Sequence, residues 1–169
     1  MNRLFKKVAI LAGMALVTVF GHAIAADISI KAVMVPKEQI RLDFADGSKH
    51  FVLAVRREGK AEGTGPFAGA SVTEHGWHDI DPAAGGGDPR GYLVFTASKD
   101  DIAYVKWQVR AVFVPGLDGK PKLLDNGFWE VVGGTGKFKG LKGAGTLHIK
   151  AVSPTDREFS LTGEIVSSL

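Results

Sequence analysis

The sequence predicts an all-β domain, an eight-stranded antiparallel β-barrel. Three observations predict it. Several runs carry apolar residues on one face and polar residues on the other, at the two-residue period of a strand. Turn signals separate these runs, and no stretch beyond the first 25 residues shows helical periodicity. A glycine motif is repeated: Gly134-Thr135-Gly136-Lys137-Phe138-Lys139-Gly140 follows Gly63-Thr64-Gly65-Pro66-Phe67-Ala68-Gly69 by 71 positions in a chain of 169 residues. Glycine serves where φ must be positive or where backbones pass closely. Between runs of Val, Ile, Phe and Thr, two such clusters read as sharp corners of one closed sheet. The corner glycines are Gly63, Gly65, Gly69, Gly133, Gly134, Gly136 and Gly140.

Residues 1–25 have the build of a cleaved export signal and stand apart from the fold. Arg3, Lys6 and Lys7 open it, and Val8 to Phe20 form its apolar core. Ala23-Ile24-Ala25 then supplies the small residues of a cleavage site, so the mature chain is expected to begin at Ala26. The apolar run is shorter than the roughly 20 residues of a spanning helix. The expected organisation is a signal peptide at 1–25 and a single barrel domain at 26–169, in a protein exported to the periplasm or secreted and free of the membrane after cleavage. The signal holds three of the 21 Lys and Arg and none of the 18 Asp and Glu, so the mature chain is close to neutral. That balance supports no nucleic-acid partner. The absence of cysteine excludes disulfides and a lipidated N-terminal cysteine.

The mature elements follow in order. After a short leading segment, Asp27 to Val35, the runs Gln39–Ala45 and Ser48–Arg57 flank Asp46-Gly47, a two-residue hairpin signal. Ala70–Ile80 follows the first glycine corner, and Asp81 to Arg90, with two prolines and three consecutive glycines, is the longest loop. Tyr92–Ser98 and Ile102–Val114 are joined by a tight turn at Lys99-Asp100-Asp101. Pro115 to Pro121, around Asp118-Gly119, turns the chain into Lys122–Val132 and the second corner. Thr146–Val152 and Glu158–Val166 close the chain around Ser153-Pro154. In Ile102–Val114, Ala103, Val105, Trp107, Val109, Ala111 and Phe113 share one face, and Tyr104, Lys106, Gln108 and Arg110 the other. Strands with one apolar face need a second sheet or closure, and closure also removes exposed edges.

Val131-Val132-Gly133-Gly134-Thr135-Gly136-Lys137-Phe138-Lys139-Gly140-Leu141-Lys142-Gly143 resembles the glycine-rich signature of the dirigent and allene oxide cyclase superfamily, and the order of strands and turns from Gln39 to Val166 matches its barrel. The chain looks like a bacterial, exported member. The resemblance implies an allene oxide cyclase-like, calycin-like barrel. It also implies a superfamily whose plant members cyclise epoxides or steer radical coupling, often as trimers. The cysteine of the cyclase active site has no counterpart here, so cyclase activity does not follow from the resemblance.

Glu74-His75-Gly76-Trp77-His78-Asp79 is the densest group of functional residue types. On a regular strand His75 and His78 point to opposite faces, and a bulge at Gly76 would bring them together. No metal and no cofactor are expected; His75 and His78 are the only metal candidates. The candidate ligand-binding residues are Glu74, His75, Trp77, His78, Trp107 and Trp129, an imidazole and carboxylate pair beside indole walls. The plain alternative is a polar rim over an ordinary aromatic core. For Ile102–Val114 either the apolar stripe lines the lumen, or it forms a subunit interface and Lys106 with Arg110 points inward to an anion. A phosphate-loop reading of the corners fails, because Phe138 stands where Ser or Thr is required.

The function expected is an exported barrel that binds a small, largely apolar molecule in its lumen. The alternatives are a cyclase or isomerase of the allene oxide cyclase-like type, and a structural or interaction barrel without ligand. A dimer or trimer is the expected self-association.

Overall fold

A computed structural model describes residues 24–116 and 121–167. The predicted signal falls almost wholly outside the described residues, as does the Asp118-Gly119 turn. Ten strands follow in chain order: β1 (Ile24–Asp43), β2 (Phe51–Lys60), β3 (Glu62–Thr64), β4 (Ser71–Asp81), β5 (Gly86–Gly87), β6 (Arg90–Thr96), β7 (Ile102–Pro115), β8 (Pro121–Gly134), β9 (Leu141–Ala151) and β10 (Arg157–Ser167). All but the short β3 and β5 join into a ring of eight antiparallel strands, closed by a ladder from Ile24 opposite Ser167 to Met34 opposite Arg157. The chain is the all-β barrel its alternation predicts.

The leading segment turns out to be structural. It fuses with the Gln39 run into one strand, β1, whose first half pairs with β10 and whose second half pairs with β2. The two halves meet at a bulge between Pro36 and Glu38. Proline has no N–H to donate to a ladder, so an interruption at that position costs little. Beyond Met34 the β10 side of β1 is unpaired, and the strand continues as a free-edged arm along β2, which is itself paired to β4 from Phe51 to Lys60. The turn of that arm spans 44–50 rather than two residues. Asp46 Oδ1 accepts from the Ser48 amide (3.0 Å) and hydroxyl (2.6 Å), and Phe44 N donates to His50 O (2.9 Å).

The 81–90 stretch is an inlay in the wall. Gly86 and Gly87 pair with the end of β4 on one side and with Ala111 and Val112 of β7 on the other. Pro89 O accepts from Val109 N (2.9 Å), and the Asp88 carboxylate accepts from Arg110 Nη1 (2.8 Å). Lys106 and Arg110 therefore face outward, and the apolar stripe of β7 lines the lumen, buried from Ala103 to Ala111.

Antiparallel order puts the turns at 44–50, 81–90 and 152–156 at one end, the mouth, and both glycine corners at the other. That second end is plugged. Phe67 of the first corner stacks on Phe95 with centroids 4.4 Å apart and meets Phe138 of the second corner edge-on at 5.7 Å. All three rings are buried. The corners thus meet through their phenylalanines, which stabilises the end by burial and by ring contact together.

Thr135 fastens the second corner. Its hydroxyl donates to Asp100 O (2.7 Å) and accepts from Ile102 N (3.1 Å), and its amide donates to Ile102 O (2.7 Å). Gly136 has φ +53°, and a Cβ there would collide with the Asp101 carboxylate and with Asp100 O at 2.5 Å. Gly134 has no positive φ; what forbids a side chain there is Phe138 O, 2.5 Å from where a Cβ would sit. Gly133 meets nothing nearer than Tyr104 Cδ2 at 3.9 Å, so it is no corner requirement. Gly136→Val should cost about 1–3 kcal/mol, whereas Gly133→Ala should change stability by less than about 0.5 kcal/mol. Urea unfolding of the two variants beside the parent measures both.

Candidate functional site

Charge sits inside this barrel at positions that alternation assigns to the core. On β2, Arg57 follows buried Val55 at the two-residue period. On β4 the inward positions are Val72, Glu74, Gly76, His78 and Ile80. On β8, Asp125 shares a face with Trp129 and Val131, and on β10 Arg157 leads the inward series Phe159 and Leu161. Arg57, Glu74 and Asp125 are all buried.

Arg57 and Glu74 face each other across the β2–β4 ladder. Arg57 Nη1 donates to Glu74 Oε2 at 2.7 Å, with side-chain exposures of 6% and 0%. His78 Nε2 lies 3.1 Å from Glu74 Oε1 and 3.3 Å from Arg57 Nη1. With a proton on Nε2, His78 donates to the carboxylate, and Glu74 then bridges the imidazole and the guanidinium. Gly76 makes this possible. A Cβ there would strike Glu74 Oε1 and approach His78 Nε2 to 2.8 Å, so its hydrogen leaves the gap across which the two side chains meet. There is no bulge at Gly76: β4 runs in continuous register with β2 from Ser71 to Ile80. His75 consequently points outward and His78 inward, and they share no metal. Among the described residues no group of three His, Cys, Asp or Glu side chains could hold one.

Trp107 stands beside this group, its ring 5.8 Å from that of His78 and 5.7 Å, edge-on, from Phe159. Arg157 is within electrostatic reach of Arg57, Asp125 and Glu74, and burial holds its guanidinium below the usual range. It donates to the main-chain oxygens of Asp156 (2.9 Å) and Ser153 (3.3 Å) at the mouth. Burial pushes the Asp125 carboxyl up to about 6, against the opposing pull of Arg157. Among the described residues three buried side-chain atoms have no hydrogen-bond partner: Arg57 Nε, Trp107 Nε1 and Asp125 Oδ1. Leaving such atoms unsatisfied costs about 1–3 kcal/mol each.

The predicted site residues divide between two faces. Glu74, His78 and Trp107 come together in the lumen. Trp129 is also inside, but its Nε1 donates to Thr162 O (3.1 Å), and it is packed as core. His75 and Trp77 lie on the outer surface, Trp77 with 46% of its area exposed. Arg57, Asp125 and Arg157 were missed by motif reading. Their signal was parity: each is a charge at a position where the alternation calls for an apolar residue.

A carboxyl that titrates near 6 in a dry setting can hold a proton at mild pH and donate it, and the guanidiniums can stabilise negative charge on an oxygen. Between 3.8 and about 6 the folded chain keeps a proton on Asp125 that the unfolded chain has lost, so stability falls as pH rises through that interval. Asp125→Asn should therefore raise stability by about 1–3 kcal/mol at pH 8 and by almost nothing below about pH 4. Denaturation of parent and variant at both pH values measures the difference. Glu74→Ala strands a buried guanidinium and should cost about 3–5 kcal/mol, read from the same curves at pH 8.

No protein-family model matches the chain, and no curated protein matches it in sequence. Solved structures do match. One pterocarpan synthase dirigent protein superposes with a TM-score of 0.52 at 12% identity, over 95% of this chain and 100% of the other. A second superposes with a TM-score of 0.53 at 10% identity, over 86% of this chain and 96% of the other. At such identities the likeness is one of fold. The glycine signature, the ring closed from first strand to last and these superpositions agree: the chain carries the dirigent-like β-barrel.

Proposed function

We propose that this chain is an exported small barrel that binds a small, largely apolar molecule in the mouth half of its lumen. The observation that carries the reading is the set of unpartnered atoms, Arg57 Nε, Trp107 Nε1 and Asp125 Oδ1. A folded core of this size retains orphaned buried donors and an orphaned acceptor only at a cost, and a ligand hydroxyl, which both accepts and donates, suits such a set. The ligand best suited has an apolar body, to lie against Trp107, and at least one hydroxyl group for the polar atoms. The plugged half of the lumen is filled by side chains, so the molecule enters from the mouth. Export rests on the basic, apolar and small-residue pattern of residues 1–25. No helix among the described residues is long and apolar enough to cross a membrane.

A second reading has its own observation. Asp125, raised to about 6 beside Arg157, is suited to protonate a bound substrate, which favours an isomerase or cyclase. The likeness to pterocarpan synthase dirigent proteins is compatible with either reading, because one fold hosts many activities.

Native mass spectrometry of the protein isolated from its own host tests both. The binding reading expects an N-terminus at Ala26 and a bound molecule of small mass. Trp107→Phe should weaken its retention about tenfold, the equivalent of one hydrogen bond. Conversion of the released molecule by the parent but not by Asp125→Asn would favour the enzyme. An empty lumen, with Trp107→Phe at least as stable as the parent, would leave a structural barrel. The same spectra count subunits and so test the proposed dimer or trimer.

A further inference from the structure

The outer wall of the barrel carries a cleft of about 750 Å³, built mainly of outward residues and backed by Val55, Gly76 and Trp107 of the wall itself. Two cross-strand rows build it. The first runs Ile40, Ala54, Trp77, Arg90 and Gln108 across β1, β2, β4, β6 and β7; the second, one pair along, runs Glu38, Arg56, His75, Tyr92 and Lys106. Ala54 is the small residue between two large ones, so an open slot lies between Ile40 and Trp77. Past the bulge between Pro36 and Glu38, the free-edged half of β1 borders this slot, and Ile40 on it is 79% exposed.

Two properties distinguish this face from an ordinary solvated sheet. Trp77 and Tyr92, diagonal neighbours on β4 and β6, each leave 46% of their area in water. Aromatic surface exposed in a concave place marks a recognition site more often than a wall. The charges are also lopsided. Arg56, Arg90 and Lys106 line the cleft against a single carboxylate, Glu38. Arg56 is engaged by Glu38 at 2.8 Å and by Glu58, and Lys106 lies 3.5 Å from Glu130. Arg90 alone among the described arginines has no side-chain hydrogen bond or ion pair, and it stands directly opposite Trp77.

We propose that this cleft is a second ligand site, separate from the lumen, for a flat apolar molecule bearing one anionic group, of which aromatic carboxylates and sulfonates are the simplest. The ring lies against Trp77 and Tyr92, and the anion pairs with the free guanidinium of Arg90, whose planar fork suits a carboxylate or sulfonate. The volume matches that of small-molecule sites, roughly 300–1,000 Å³. A neutral ring would meet the same walls but leave Arg90 unanswered, so charge sets the preference.

Trp77 provides the reporter, since Trp107 and Trp129 are fully buried and it is the one tryptophan at the surface. Titration with anilinonaphthalene sulfonate, beside the uncharged phenylnaphthylamine, should quench the Trp77 emission, with the sulfonate binding more tightly. Arg90→Gln should weaken the sulfonate about tenfold and leave the neutral dye unchanged, while Trp77→Ala should weaken both. Asp125→Asn, which alters the lumen and does not line the cleft, should change neither. Equal binding of the two dyes with no effect of Arg90→Gln would overturn the proposal and leave an apolar patch. Loss of binding in Asp125→Asn but not in Trp77→Ala would move the dye to the lumen and overturn it too. Absence of dye binding, with an oligomer that dissociates on Trp77→Ala, would make the face an interface between copies.

Discussion

Closure of the sheet between β1 and β10 is the constraint on which everything else depends. Once the ring is shut, each residue of the eight strands must point either into a confined lumen or out to solvent, and parity alone decides which. A one-residue slip of β4 would put Trp77 and His75 among the core side chains and expel Glu74 and His78. The ladder from Ile24 to Met34 holds that choice, and the long apolar series Ile28, Ile30, Ala32 and Met34 on its inner face makes a slip costly.

Within that frame the lumen is divided by chemistry along its axis. The corner end is dry and aromatic, closed by Phe67, Phe95 and Phe138. The opposite half holds two guanidiniums, two carboxylates and an imidazole that compete for partners. Arg57, Glu74 and His78 satisfy one another, with an edge left over on Arg57. Asp125 and Arg157 are less settled, because each is destabilised in its charged form by burial. Proteins hold such groups at the expense of stability where their chemistry is used.

Most of the fold was legible in the sequence. The alternation in Ile102–Val114, Thr146–Val152 and Glu158–Val166 came out on the faces expected, and the repeated glycine motif did mark two corners at one end. What was not legible depended on distance along the chain. The segment from Asp27 to Val35 looks marginal by itself; only its pairing with the last strand reveals it as part of the closing seam. The site was half legible. Glu74 and His78 were singled out as part of a cluster of reactive residue types, but a sequence cluster does not respect the two sides of a strand, so His75 and Trp77 were grouped with them. Arg57, Asp125 and Arg157 lie far apart in sequence and converge only through the ring, each disguised as a stray charge in an apolar register.

The pairing of first strand with last has a temporal consequence. β1 is the earliest part of the sheet to be made, and its inner apolar row has no complete shelter until β10, the final strand, has left the ribosome. Contacts of such long sequence separation close slowly. Until then the sheet keeps two unpaired margins, one at β1 and one at the last strand made. The completed ring has no such margin along the seam from Ile24 to Met34, whereas β1 beyond it keeps a free edge.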